Sequence, residues 1–157
     1  MRQLVKQTLF LGIVAVAILA GVMPAVAACN KTITITQLQA IRFGTIAPAT
    51  AGGRVTVAAT GSESAPSGFA LAGGAAAGSF RVTGTNSCTV SIAFGAGSLL
   101  GPGTAMTVTN FTTNAGANPK LSPAGGQLTF AVGADLVVNA GQTGGAYNGT
   151  YTITVTY

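Results

Sequence analysis

The segment Gly149-Thr150-Tyr151-Thr152-Ile153-Thr154-Val155-Thr156-Tyr157 sets a large apolar or aromatic side chain at every second position, with threonine between. Successive side chains of a strand point to opposite faces. This period therefore turns Tyr151, Ile153, Val155 and Tyr157 to one side and Thr150, Thr152, Thr154 and Thr156 to the other. The pattern predicts a half-buried β-strand. The same period recurs upstream. Residues 31–36 oppose Ile33 and Ile35 to Thr32, Thr34 and Thr36, and residues 54–59 contribute Val55 and Val57. Phe80 and Val82 alternate with Arg81 and Thr83. Val90, Ile92 and Phe94 share a face, as do Met106 and Val108, and then Leu128, Phe130 and Val132.

Between these runs lie Gly52-Gly53, Gly73-Gly74, Gly101-Pro102-Gly103, Pro123-Ala124-Gly125-Gly126 and Gly144-Gly145. Glycine accepts positive φ and proline presets φ, so such clusters turn the chain. Past the N-terminal apolar run, no stretch of helical length carries a stripe at 3.6-residue spacing. The alanine-rich residues 70–77 are interrupted by Gly73 and Gly74, which disfavours a helix there. Short alternating strands joined by turns predict an all-β chain, an antiparallel β-sandwich or small barrel, in a single domain.

The chain opens differently. Arg2 and Lys6 precede an uncharged apolar run, which ends in Pro24-Ala25-Val26-Ala27. A basic tip, an apolar middle and a small-residue end predict a secretory signal peptide over residues 1–28, with the sandwich over 29–157. About 20 apolar residues also suffice to cross a bilayer. Pro24, the small-residue tail and the lack of a following stop-transfer run favour cleavage over a permanent anchor. The expectation is export to the periplasm, the cell surface or the medium.

Composition narrows the chemistry. The chain has no histidine, and its two acidic side chains are Glu63 and Asp135, far apart in sequence. Catalysis needs a positioned base, nucleophile or metal, and no G-x-S-x-G elbow occurs. Lys120 and Ser122 lie in a proline-containing turn, where a solvated pair is the plain reading. Calcium favours several carboxylates, and Asp135 stands alone. The glycines around residues 95–97 lack the lysine and helix start of a phosphate cradle. Lys31, Arg42, Arg54, Arg81 and Lys120 are scattered, without the basic patch of a nucleic-acid binder. The expectation is a non-enzymatic chain with no catalytic, cofactor or metal site and no nucleic-acid partner.

Cys29 shares parity with Ile33 and Ile35, and Cys88 with Val90, Ile92 and Phe94. Unbroken strands would point both thiols inward, and two inward thiols in an exported chain predict a disulfide. Val26-Ala27-Ala28-Cys29 also looks like the lipobox of bacterial lipoproteins, in which this cysteine would carry lipid. Both readings stand on the sequence.

Ile33-Thr34-Ile35-Thr36, Arg42-Phe43-Gly44-Thr45-Ile46-Ala47-Pro48, Met106-Thr107-Val108-Thr109-Asn110-Phe111 and the closing residues 149–157 resemble the bacterial family catalogued as domain of unknown function 4402. That family is in turn similar to spore coat protein U-like and chaperone–usher fimbrial subunits. These share a cysteine at the first strand, a Phe-Gly-Thr turn after it, a second cysteine about one third along, and a closing alternating strand. The resemblance implies an immunoglobulin-like, pilin-like sandwich exported in a Gram-negative bacterium. Fimbrial subunits polymerise when one accepts a neighbour's extension along an open edge. Here only about two residues separate the cleavage point from the strand at Lys31, so no spare donor segment is evident. The expected function is a structural or adhesive surface protein, a pilin-like subunit or matrix component. The alternative is a lipid-anchored or periplasmic binding module acylated at Cys29. Partners would be itself or other pilin-like subunits by strand addition, with Tyr151, Ile153, Val155 and Tyr157 as candidate subunit contacts. Membrane contact would come only through the signal peptide or a lipid on Cys29.

Overall fold

The structure is a computed structural model and describes residues 28–157, so the signal-peptide reading lies outside the described residues apart from Ala28. Those residues form strands and no helix. In chain order they are β1 (Thr34–Gln39), β2 (Arg42–Phe43), β3 (Ile46–Ala47), β4 (Gly53–Val57), β5 (Glu63–Ser64), β6 (Ala70–Leu71), β7 (Ala75–Ala76), β8 (Gly78–Thr83), β9 (Ser91–Leu100), β10 (Met106–Thr113), β11 (Gln127–Val138) and β12 (Asn148–Thr156). Every pairing is antiparallel. The all-β, antiparallel, sandwich-like expectation holds.

One sheet runs β1-β8-β11-β10-β9-β12, with β4 and β5 attached beside β11. The long strand β11 organises it. Its first half pairs β8 from Gln127 to Val132, and its second half pairs β4 from Ala134 to Val138. At the changeover, a Cβ on Gly133 would collide with the backbone of Val57, Ala58 and Ala59. Glycine is what lets the two partner strands meet there.

Period two then builds the core. Phe130 and Val132 join Phe80, Val82, Val90, Leu121 and Val155 in one buried cluster. Ala134, Leu136 and Val138 join Val55, Met106 and Val108 in a second. Phe111 and Ile41 pack against both. Burying a side chain of this size contributes about 1.5–3 kcal/mol. The sheet curls so that the β9–β12 arm covers β8 and β11, and Phe80 meets Phe130 at 5.9 Å and Tyr151 at 6.4 Å between ring centroids.

Two expectations are corrected. The strand read over residues 31–36 begins instead at Thr34 and runs to Gln39, with every residue exposed. Ile33 still packs against the first cluster, while Ile35 is 37 % exposed because nothing covers the core side of β1 there. Residues 70–77 form two two-residue strands, β6 and β7, which pair β3 and β2.

Cys29 and Cys88 are joined, with 5.9 Å between their Cα atoms. Cys88 is buried, but Cys29 is exposed, and neither lies in a strand. Strand parity does not carry back to Cys29, because β1 starts five residues later. The bond thus reaches the buried sulfur from outside. Beside it, the Tyr157 hydroxyl donates to the Lys31 carbonyl and accepts from the Thr85 N–H, both at 2.7 Å, while the Lys31 N–H donates to Thr85 Oγ1 at 2.9 Å. Such a disulfide belongs to an oxidising compartment outside the cytoplasm.

With 59 residues of separation, replacing both cysteines by serine is expected to lower stability by about 4 kcal/mol on the chain-entropy account. Urea denaturation measures it; a loss under about 1 kcal/mol would mean that the Tyr157 hydrogen bonds alone hold the first strand.

Candidate functional site

The strand order ends at β12, which pairs β9 along one edge and no other strand among the described residues. At the opposite end of the chain's path, β1 pairs only β8, β2 only β7 and β3 only β6. The curl of the sheet brings these edges to either side of one groove of about 1040 Å³. Its floor is core: Phe80, Leu99, Met106, Val108, Leu136 and Val138 all reach it. Ile35, Phe43 and Ile46 form one wall, and Tyr151 and Ile153 the other. Arg42 is the one charged residue of the lining.

The β2–β3 wall is placed by local chemistry. Gly44 sits at φ +72° between the two strands, and a Cβ there would run into the Gly73 carbonyl. Across that close approach the Thr45 N–H donates to the Gly73 carbonyl at 3.1 Å, and the Ala72 N–H donates to the Thr45 carbonyl at 2.9 Å. The Phe-Gly-Thr turn quoted above is therefore the hinge that lets β2 and β3 lean on β7 and β6.

Three tyrosines differ in how they are satisfied. Tyr147 stands at one end of the groove, where its hydroxyl donates to the Thr143 carbonyl at 2.8 Å and accepts from Gln142 Nε2 at 2.7 Å and the Gly103 N–H at 3.0 Å. Tyr157 is bonded as described above. Tyr151 packs its ring on Phe111, 5.1 Å between centroids, yet its buried hydroxyl has no hydrogen-bond partner. Burial pushes the Tyr151 phenol up from its ordinary value of 10.0, against a smaller opposing influence of the Ile41 backbone.

The four predicted contact residues are thereby divided. Tyr151 and Ile153 face the groove, Val155 is buried in the first core cluster, and Tyr157 clamps the disulfide end. Sequence reasoning missed the opposite wall, Ile35, Phe43 and Ile46. The Phe-Gly-Thr turn was the available signal, because it marks where an exposed apolar strand breaks.

The two acids do not meet. Asp135 pairs with Thr56 across β11 and β4, and Glu63 pairs with Val57 across β5 and β4. Thr56 and Val57 face opposite sides, so the carboxylates do too. Asp135 has partners that sequence reading did not supply. Thr56 Oγ1 donates at 2.6 Å, Asn110 Nδ2 at 2.8 Å and Arg54 NH1 at 3.2 Å. Desolvation raises the Asp135 pKa, but donors from Thr56 and Asn110 and the Arg54 charge outweigh it, leaving the group below its ordinary 3.8. The Arg54 side chain is 54 % exposed, so the ion pair itself contributes little. Asn110 takes φ 49° where the β10–β11 register shifts, and this aims its amide at Asp135 and turns Phe111 into the core. Ser122 belongs to a turn, donating to the Ala124 carbonyl at 2.7 Å and accepting from the Gln127 N–H at 3.2 Å. Among the described residues no cluster of three metal-ligating side chains occurs, and no helix is long and apolar enough to cross a membrane.

A family model described as Domain of unknown function (DUF4402) matches residues 33–157, and the chain belongs to that family. No curated protein and no solved structure matches it.

Because the folded Asp135 pKa is depressed, its contribution to stability is complete above the ordinary carboxylate value and is lost as pH falls through the lower folded value. Asp135→Asn is expected to cost about 1–3 kcal/mol at neutral pH, since it turns a three-fold acceptor partly into a donor. It should also flatten the loss of stability between about pH 4 and pH 2, read by denaturation at each pH. An unchanged acid profile would show that Asp135 is not the group responsible.

Proposed function

We propose that this member of the family is an exported, non-enzymatic structural or adhesive subunit of the cell surface, pilin-like in its immunoglobulin-type sandwich, that assembles by strand addition. One observation carries the reading: two strand edges, β12 and β1–β3, face each other across an open apolar groove. A strand laid between them would add main-chain hydrogen bonds to β12 and apolar side chains to the floor, which is the physics of β-augmentation. The partner is then another copy of this chain or another pilin-like subunit.

Other features support the same reading. Neither β1 nor β12 carries the charges or prolines that usually blunt an exposed edge. Ile35 and Leu38, at 37 % and 47 % exposure, lie on β1 beside the groove or close to it. The Cys29 sulfur is bonded to Cys88, which leaves it no thiol for acylation and counts against the lipid-anchored alternative. The disulfide also suits the export read from residues 1–28.

The test is electron microscopy of sheared surface material together with sizing of the exported protein. Filaments or ordered oligomers are expected, and monomers at every concentration would overturn the proposal. Ile35→Asp places a charge in the groove at an already exposed position, so it should leave the monomer's melting temperature within about 2 °C while abolishing assembly.

A further inference from the structure

We infer that Tyr151 fixes the register of an incoming polypeptide strand, its hydroxyl bonding to that strand's backbone; this rests on the strand-addition reading above. A buried hydroxyl left without a partner costs about 1–3 kcal/mol, so one that persists calls for an explanation. Tyr147 and Tyr157 show the ordinary outcome in this same fold, each hydroxyl saturated by protein groups. Tyr151 differs only in facing the open groove.

The ring cannot simply swing away. It is held between Phe111, at 5.1 Å, and Phe80, at 6.4 Å edge to face. Gly78 gives it room: a Cβ there would lie 2.8 Å from the Ile41 side chain and 3.3 Å from the Tyr151 hydroxyl. The hydroxyl is thus a fixed polar point on an otherwise apolar surface, midway along β12.

This point identifies the occupant's chemistry. A hydrocarbon chain would fill the groove but leave the hydroxyl and the β12 edge unsatisfied. An extended polypeptide satisfies both, since its carbonyls and N–H groups recur along its length while alternate side chains enter the floor. The single charge of the lining, Arg42, calls for an uncharged strand interior with any acidic residue placed at that end. Sliding the strand by one residue would reverse its faces, so one polar anchor suffices to select a register.

The test uses the full chain with a strand of nine alternating valine and threonine residues appended after Tyr157 through a flexible glycine–serine linker. Tethering supplies millimolar effective concentration, so a generic strand is enough. Four proteins are compared: with and without the strand, and with Tyr151 or Tyr151→Phe. The strand is expected to raise the melting temperature and to slow amide exchange along β12. Tyr151→Phe alone should leave the melting temperature equal or higher, because it removes an unpaired buried hydroxyl. In the tethered protein it should reduce β12 protection roughly threefold to tenfold, the size of one hydrogen bond. Equal protection in both backgrounds would overturn the role of Tyr151 while leaving strand addition intact. No protection in either background would overturn strand addition and this inference with it.

Discussion

The pairing of β11 on both of its edges is the constraint from which the rest follows. A strand buried on both sides must find partners for every backbone N–H and C=O, and β11 does so with β10 along one edge and β8 and then β4 along the other. Its inward residues, from Phe130 through Leu136 to Val138, are shared between the two core clusters. The remaining strands extend from this spine as two arms, β8–β1 on one side and β10–β9–β12 on the other. Right-handed twist curls both arms toward the same face. They bury the aromatic cluster of Phe80, Phe94, Phe111 and Tyr151 but do not close. The groove is the seam between them.

Much of this was legible in the sequence, and for a definite reason. Side-chain alternation is a local property, so Val55, Val57, Phe80, Val82, Met106, Val108, Phe130 and Val132 were assigned to the interior, and all eight are buried. Pairing between strands is not local. Nothing near Asp135 in the sequence announces Thr56 or Arg54, some eighty positions away, and they meet only because β4 lies against β11. Asn110 is closer but is aimed by a register shift that no alternation predicts. For Cys29 the failure is smaller: the pairing with Cys88 was right, but parity was extended past the end of its strand.

The candidate site shows the same division. Tyr151 and Ile153 could be picked from β12 alone, because a closing strand with a threonine face displays its other face plainly. The opposing wall is built from two-residue strands held by β6 and β7, too short for any period to register. What separates Tyr151 from Tyr147 and Tyr157 is the presence or absence of partners for a hydroxyl, and that is a property of the folded seam.

The joint between Cys29, Cys88 and Tyr157 has a mechanical consequence. Strand β1 is wholly exposed and hydrogen-bonded along one edge, so traction applied ahead of it would otherwise peel it from β8 one bond at a time, the mode of least resistance. The covalent cross-link diverts that load. Tension arriving at Cys29 passes directly to Cys88, in the loop between β8 and β9, and bypasses β1 altogether. A module wired in this way bears a pull through its interior rather than along its weakest seam.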